Sequence, residues 1–123
     1  MSQDLISDCL NQIMNAKKSG KSELVVNRVS KLLIEVLEIA KKNDYLDFSH
    51  DKKQIRIKIK DLSECRTIKP RYFVKIESID KYARRFLPAR NVGLMIISTN
   101  EGLMTHEQAY EKKIGGSLIA YFV

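Results

Sequence analysis

Val92-Gly93-Leu94-Met95-Ile96-Ile97-Ser98-Thr99-Asn100-Glu101-Gly102 is the stretch on which the reading of this chain turns. A continuous apolar run bounded by turn-forming residues reads as a buried strand, here over 92–98. Its end presents small hydroxyl and amide groups beside glycine, on a rigid support with little steric bulk. Downstream, Thr105-His106-Glu107-Gln108 has the form of a capping box, with Thr at the N-cap and Gln at the third helical position. It opens a helix to about residue 113, which Gly115-Gly116 stops. Ser117-Leu118-Ile119-Ala120-Tyr121-Phe122-Val123 then closes as a strand.

Upstream, Pro88 ends a short helix over 78–86, with Ile79, Tyr82, Ala83 and Phe86 on one side. Arg71-Tyr72-Phe73-Val74-Lys75-Ile76 reads as a strand. The polar connection from Leu62 to Lys69 ends at Pro70, which lacks a ladder donor and biases Lys69 toward extended backbone. It is the expected domain boundary.

Ahead of that connection, Leu5, Ile6, Cys9, Leu10, Ile13 and Met14 recur at three- and four-residue spacing, one face of an amphipathic helix closed by Lys17-Lys18-Ser19-Gly20. Glu23-Leu24-Val25-Val26 is a short β-branched strand. Ser30 caps a second helix whose core face holds Leu33, Ile34, Leu37 and Ala40, with Val36 alongside. Tyr45-Leu46-Asp47-Phe48 and Gln54-Ile55-Arg56-Ile57-Lys58-Ile59-Lys60 form an antiparallel pair around His50-Asp51-Lys52-Lys53. Strict alternation in the last strand puts its isoleucines inward and Arg56, Lys58 and Lys60 outward. The expected fold class is α/β (α+β) in two small domains. Residues 1–61 form an N-terminal α-β-α-β-β domain, and residues 62–123 a C-terminal β-rich domain with short helices.

The 123 residues carry a formal charge of +7, unevenly placed. Residues 52–90 hold thirteen Lys/Arg against four Asp/Glu, while the flanking segments are each slightly acidic. A basic middle points to an anionic partner, with a solvated polar surface as the bland alternative. The chain has neither a signal-peptide pattern at its start nor an apolar stretch near the ~20 residues that span a bilayer. Cys9 and Cys65 make no disulfide framework. A soluble, intracellular protein, monomeric when free, is expected.

Several motifs in order resemble one family: the universal eighth protein of the small ribosomal subunit, on its archaeal and eukaryotic branch. That family has a strand running into Ser-Thr-Ser-x-Gly-x-Met-Thr, then a short helix, Gly-Gly and a closing strand. Ser98-Thr99, Gly102, Met104-Thr105, His106, Ala109 and Gly115-Gly116 stand in that register. Asn100 takes the place of the second serine, and Glu101 of a frequent lysine. Asp4 to Ala16 is similar to the family's opening helix, with Leu5 for a proline and Met14 for a common basic residue. Cys65 to Tyr72 and Leu87-Pro88-Ala89-Arg90 also look like that branch, with Arg66 for a glycine.

The resemblance implies a cytoplasmic, ribosome-bound structural protein. It would bind the central domain of small-subunit rRNA early in assembly, beside neighbouring small-subunit proteins. The C-terminal domain would set its Ser-Thr loop against the minor groove and distorted bases, and the N-terminal domain would contact nearby backbone. The RNA-binding residues so implied are Ser98, Thr99, Asn100, Gly102, Thr105, Gly115 and Gly116, with Asn11 and Asn15 on the opening helix. Lys58, Lys69, Arg71, Lys75 and Arg90 are the phosphate-contact candidates, in a wider set that includes Lys60, Arg66, Arg84 and Arg85.

Each residue has a structural reading beside the functional one. Ser, Thr and Asn satisfy nearby backbone in turns, and Gly102, Gly115 and Gly116 permit close approach of backbone to RNA, supply positive φ, or do both. Tyr72 stacks a base or, more ordinarily, packs in the core. Tyr45, Phe48, Phe73, Phe86, Tyr121 and Phe122 are assigned to packing. Catalysis is not expected. Ser98 and His106 lack a strand–elbow motif and an orienting carboxylate, no phosphate-binding glycine loop is present, and Cys9, Cys65, His50 and His106 lack metal-ligand spacing. No cofactor and no metal are expected. The competing function is a non-ribosomal RNA-binding or acidic-partner interaction module.

Overall fold

The computed structural model describes residues 2–68, 72–88 and 92–123, with side chains from Leu5 onward. These form a mixed helix and antiparallel-sheet structure in two compact units, Met1–Arg66 and Thr67–Val123. The α+β class in two parts is therefore as expected.

The first unit runs α1 (Ser2–Lys18), β1 (Glu23–Val26), α2 (Lys31–Lys42), β2 (Leu46–His50) and β3 (Ile55–Ile59). Helical spacing brings Ile6, Cys9, Leu10 and Ile13 of α1 to at most 1% exposure. Gly20, at φ 79, turns the chain after the helix. Ser30 caps α2 by accepting from the Leu33 N–H at 3.1 Å. On α2 the buried residues are Leu33, Val36, Leu37 and Ala40, so Val36 takes the core place assigned to Ile34, which is half-buried. Strand β3 lies central in the order β1-β3-β2, antiparallel to both neighbours. Ile55 and Ile57 face inward while Arg56 and Lys58 face out. The β2–β3 turn is held by Asp51, whose Oδ1 accepts from the N–H groups of Lys53 and Gln54 at 2.7 and 2.8 Å.

The division into units falls between Arg66 and Thr67, and Leu62 and Cys65 ahead of it are buried. Cys65 belongs to α1's surroundings: its N–H lies 3.4 Å from Met14 Sδ and its Sγ donates toward the Leu10 carbonyl at 3.8 Å. Cys9 and Cys65 are both free and buried, and burial pushes both thiols up to about 12, where the reactive thiolate is scarce.

The second unit contains β5 (Phe73–Val74), a 3-10 turn (Ile76–Ser78), α3 (Ile79–Phe86), β6 (Leu94–Thr99), β7 (Gly102–Thr105), α4 (His106–Lys112) and β8 (Gly116–Phe122). Strand β4 (Cys65–Thr67) straddles the division. The sheet order is β4-β8-β6-β7, with β5 also on β8. Two strands here escape the sequence reading. β4 falls in the supposed connection, and β7 lies in the stretch between the Ser-Thr loop and the capping box. Both are short edge strands whose pairing comes from the sheet they join rather than from local propensity.

One face of this sheet makes a core from Val74, Met95, Ile97, Met104 and Leu118 with Ile79 of α3 and Ala109 of α4. Tyr72 and Tyr82 pack against it, ring centroids 5.4 Å apart, as do Phe86 and Tyr121 at 5.8 Å. Tyr72 is thus a packing residue.

Helix α4 opens with the expected box: Thr105 Oγ1 accepts from the Gln108 N–H at 3.2 Å, and Gln108 Oε1 from the Thr105 N–H at 3.0 Å. Replacing Thr105 by Ala should cost about 1 kcal/mol of stability, read as a lower urea midpoint, with Thr105→Ser close to wild type. A Thr105→Ala midpoint equal to wild type would remove the cap from the account of this helix. The helix ends at Lys113 in a left-handed conformation, φ 57, rather than at the glycine pair.

Candidate nucleic-acid interface

The stretch that opened the reading folds as a two-stranded hairpin at the edge of the second sheet. Thr99 opposes Gly102, leaving Asn100 and Glu101 as an exposed turn. Gly102 takes φ 105, a conformation that costs glycine little and other residues more. Thr99 Oγ1 donates to the Gly102 carbonyl at 2.8 Å and accepts from the Glu101 N–H at 3.1 Å. Its proton is therefore spent inside the turn, and Thr99 shapes the loop more than it offers itself to a partner.

Glu101 does not leave an isolated negative charge. Lys112 of α4 reaches it at 3.3 Å, and although an exposed pair of this kind contributes little to stability, it cancels the local field. Ser98 is half-buried, with no side-chain partner among the described residues, so its hydroxyl keeps both donor and acceptor capacity.

Sheet register places Ser98 in a longer row. It pairs with Leu103 on one side and Ser117 on the other, and Ser117 pairs in turn with Phe73. Directly opposed residues share a face, so Phe73, Ser117, Ser98 and Leu103 line the face away from α3 and α4. Phe73 is 72% exposed. Its assignment to packing is corrected by strand alternation: Val74 and Tyr72 point to the core, which sends Phe73 outward. Ser117 and Phe73 are the members of this surface that the sequence reading missed. Phe73 carries no periodic signal because its strand is two residues long, and Ser117, on β8, is placed beside it only by the pairing of the two strands.

Gly115 and Gly116 turn out to serve packing. A Cβ on Gly116 would collide with the Ser98 carbonyl oxygen, and one on Gly115 with the Val74 carbonyl oxygen. Neither has a positive φ, so the alternative of conformational freedom is overturned for both. Gly116 is buried and Gly115 half-buried.

The other sequence-derived positions scatter. Asn11 and Asn15 are exposed one turn apart on α1, and Thr105 is half-buried at the cap of α4. Lys75 is exposed just after β5. Lys58 is exposed too, opposite Glu23 and Asp47 across the sheet, with Asp47 itself paired to Lys41 at 3.2 Å. Arg84 is tied to Asp80 at 2.7 Å, Arg66 to Glu64 at 2.8 Å, and Arg85 lies over the rings of Tyr72 and Phe86 at 5.8 and 5.6 Å. Lys69, Arg71 and Arg90 lie outside the described residues.

His106, the one histidine near the loop, is already employed. Its Nδ1 accepts from the Met95 N–H at 3.1 Å, which requires the neutral ring protonated on Nε2. Strand β7 ends one residue earlier, and the ring replaces a backbone carbonyl as the acceptor for β6. Among the described residues no group of acidic, histidine and cysteine side chains could hold a metal ion, and no helix is long and apolar enough to cross a membrane.

The sequence pattern of the family described as ribosomal protein S8 matches residues 4–123. A protein of Pyrobaculum neutrophilum named small ribosomal subunit protein uS8 is 39% identical, over 96% of this chain and 95% of its own length. One of the same name from Nanoarchaeum equitans is 38% identical over 98% of each chain. Small ribosomal subunit protein uS8A of Schizosaccharomyces pombe is 32% identical over 98% of this chain and 97% of its own. The matched span takes in both units, from α1 through the Ser-Thr hairpin to the closing strand, and this chain belongs to the ribosomal protein S8 family.

Proposed function

We propose that this protein is a structural constituent of the small ribosomal subunit that binds the central domain of small-subunit rRNA. The observation that carries this reading is the β6–β7 hairpin: an exposed polar turn on a rigid sheet, with an uncommitted Ser98 hydroxyl and a neutralised Glu101. RNA is recognised largely through 2′-hydroxyls and the edges of unstacked bases, which small hydroxyl and amide groups at a strand end can approach closely. Ser98 and Asn100 are the direct readers, and Thr99, Gly102 and Thr105 hold the loop they stand on. Gly115 and Gly116 act one step back, by bringing β8 close beside β6 and β5. Asn11, Asn15 and Lys75, with Lys69, Arg71 and Arg90, supply contacts to the RNA backbone. Lys58 contributes least, given its acidic neighbours. Neighbouring small-subunit proteins complete the environment of a chain that acts as a structural component rather than an enzyme.

Binding to a central-domain rRNA fragment across a salt series tests this. Wild type should bind selectively over unrelated RNA, with each engaged phosphate adding roughly one unit to the logarithmic salt slope. Ser98→Ala/Asn100→Ala, which leaves Thr99's turn bonds intact, should weaken binding on the order of tenfold through lost hydrogen bonds. Equal affinity for unrelated RNA, unchanged in the double variant, would reject the proposal.

A further inference from the structure

We propose that Phe73 is a stacking platform for one unpaired RNA base, with the hydroxyls of Ser117 and Ser98 placed at that base's polar edge. This rests on the rRNA-binding reading and extends it to residues outside the Ser-Thr loop. Phe73 presents its ring to solvent at 72% exposure, and it is the polar groups around the ring that say what it could receive. The ring stands on β5 at the end of the row Phe73–Ser117–Ser98–Leu103. Strands are spaced about 4.8 Å apart, so both serines lie within roughly 10 Å of the Phe73 backbone along that row.

An apolar protein partner would need a contiguous apolar patch. Among the described residues the other exposed large hydrophobics are Val25 on β1, Val92 ahead of β6 and Tyr110 on α4, none of them on this row. What the row offers is one flat, exposed apolar ring beside two hydroxyl groups, with the half-buried Leu103 at its far end. That matches the chemistry of a nucleobase, a π-face with hydrogen-bonding edges.

Charge agrees. Residues 67–123 hold nine Lys/Arg against five Asp/Glu. Lys75 follows Phe73 by two residues along extended backbone, on the same side of the chain and exposed. A base stacked on Phe73 would have its phosphate within reach of that ammonium. The platform is also rigid: Val74, next to Phe73, is buried in the core, and β5 is locked to β8 at Phe73–Ser117 and Val74–Gly116.

The test uses the central-domain rRNA fragment carrying 2-aminopurine at one unpaired position at a time. With wild-type protein, one labelled position should change fluorescence on binding. Phe73→Ala should abolish that change and weaken binding about 10- to 100-fold, in line with 1–3 kcal/mol per stacked base. Phe73→Trp should retain both, whereas Phe73→Leu, apolar but not flat, should behave like Phe73→Ala. Wild-type binding that is lost in Ser98→Ala/Asn100→Ala yet unchanged in Phe73→Ala would overturn the platform and leave the rRNA reading standing. Full binding by Phe73→Leu would overturn stacking in favour of plain apolar contact. Failure of the wild type to bind the fragment would overturn both. Circular dichroism of each variant excludes misfolding as the cause.

Discussion

Gly116→Ala is expected to cost the second unit about 3 kcal/mol or more, a large share of the roughly 5–15 kcal/mol that holds an ordinary domain folded. The added Cβ would meet the Ser98 carbonyl oxygen, with the Ser98 carbonyl carbon and Ile97 Cγ2 each 2.9 Å away. Two of those atoms are backbone, pinned because Ser98 is paired on both sides, to Leu103 and Ser117. A flexible side chain could swing aside, but a central strand held by two ladders cannot. The matched control is Gly102→Ala. Nothing lies within 4 Å of its new Cβ, so only the positive φ opposes it, at about 1 kcal/mol. Urea unfolding of both variants checks the ranking. A Gly116→Ala protein within about 1 kcal/mol of wild type would show that β6 and β8 separate more easily than their register implies.

The second large effect concerns His106. Removing its ring in His106→Ala leaves the N–H of fully buried Met95 without an acceptor, at a cost of about 1–3 kcal/mol. His106→Asn places an amide oxygen near the former Nδ1 and should recover most of it. The same bond makes stability depend on pH. Burial holds the ring's pKa below its ordinary value near 6.5, against the smaller opposing pull of Glu107 and Asp80. A base whose folded-state pKa is depressed binds fewer protons when folded. Its contribution is therefore whole above about pH 6.5 and is lost as pH falls through that value toward the folded-state pKa. Urea midpoints of wild type should fall on acidification from about pH 8 to about pH 5, and those of His106→Asn should fall less. Parallel pH profiles for the two proteins would remove His106 from the account.

Legibility in the sequence followed the range of the interactions involved. Helix α1 could be read because Ile6, Cys9, Leu10 and Ile13 repeat with the helix's own period. β3 could be read because Ile55, Arg56, Ile57 and Lys58 alternate with the strand's. The Thr105–Gln108 cap needs only residues three apart. The edge strands β4 and β7 carry no such period and take their state from the sheet. The loop residues Ser98, Thr99 and Asn100 stood out by type, yet their division of labour did not. Thr99's proton goes to Gly102 only because the turn closes over two residues.

By itself the sequence determined the α+β class, nearly all the elements and the family, since these rest on periodicity, capping and motif order, all short-range properties of the chain. Tertiary structure alone decided which glycines are obligatory, that His106 serves Met95, that Lys112 answers Glu101, and that Phe73 faces out beside Ser117. Each of those depends on register between segments separated by several to dozens of residues. A strand shifted by one position would send every one of its side chains to the opposite face.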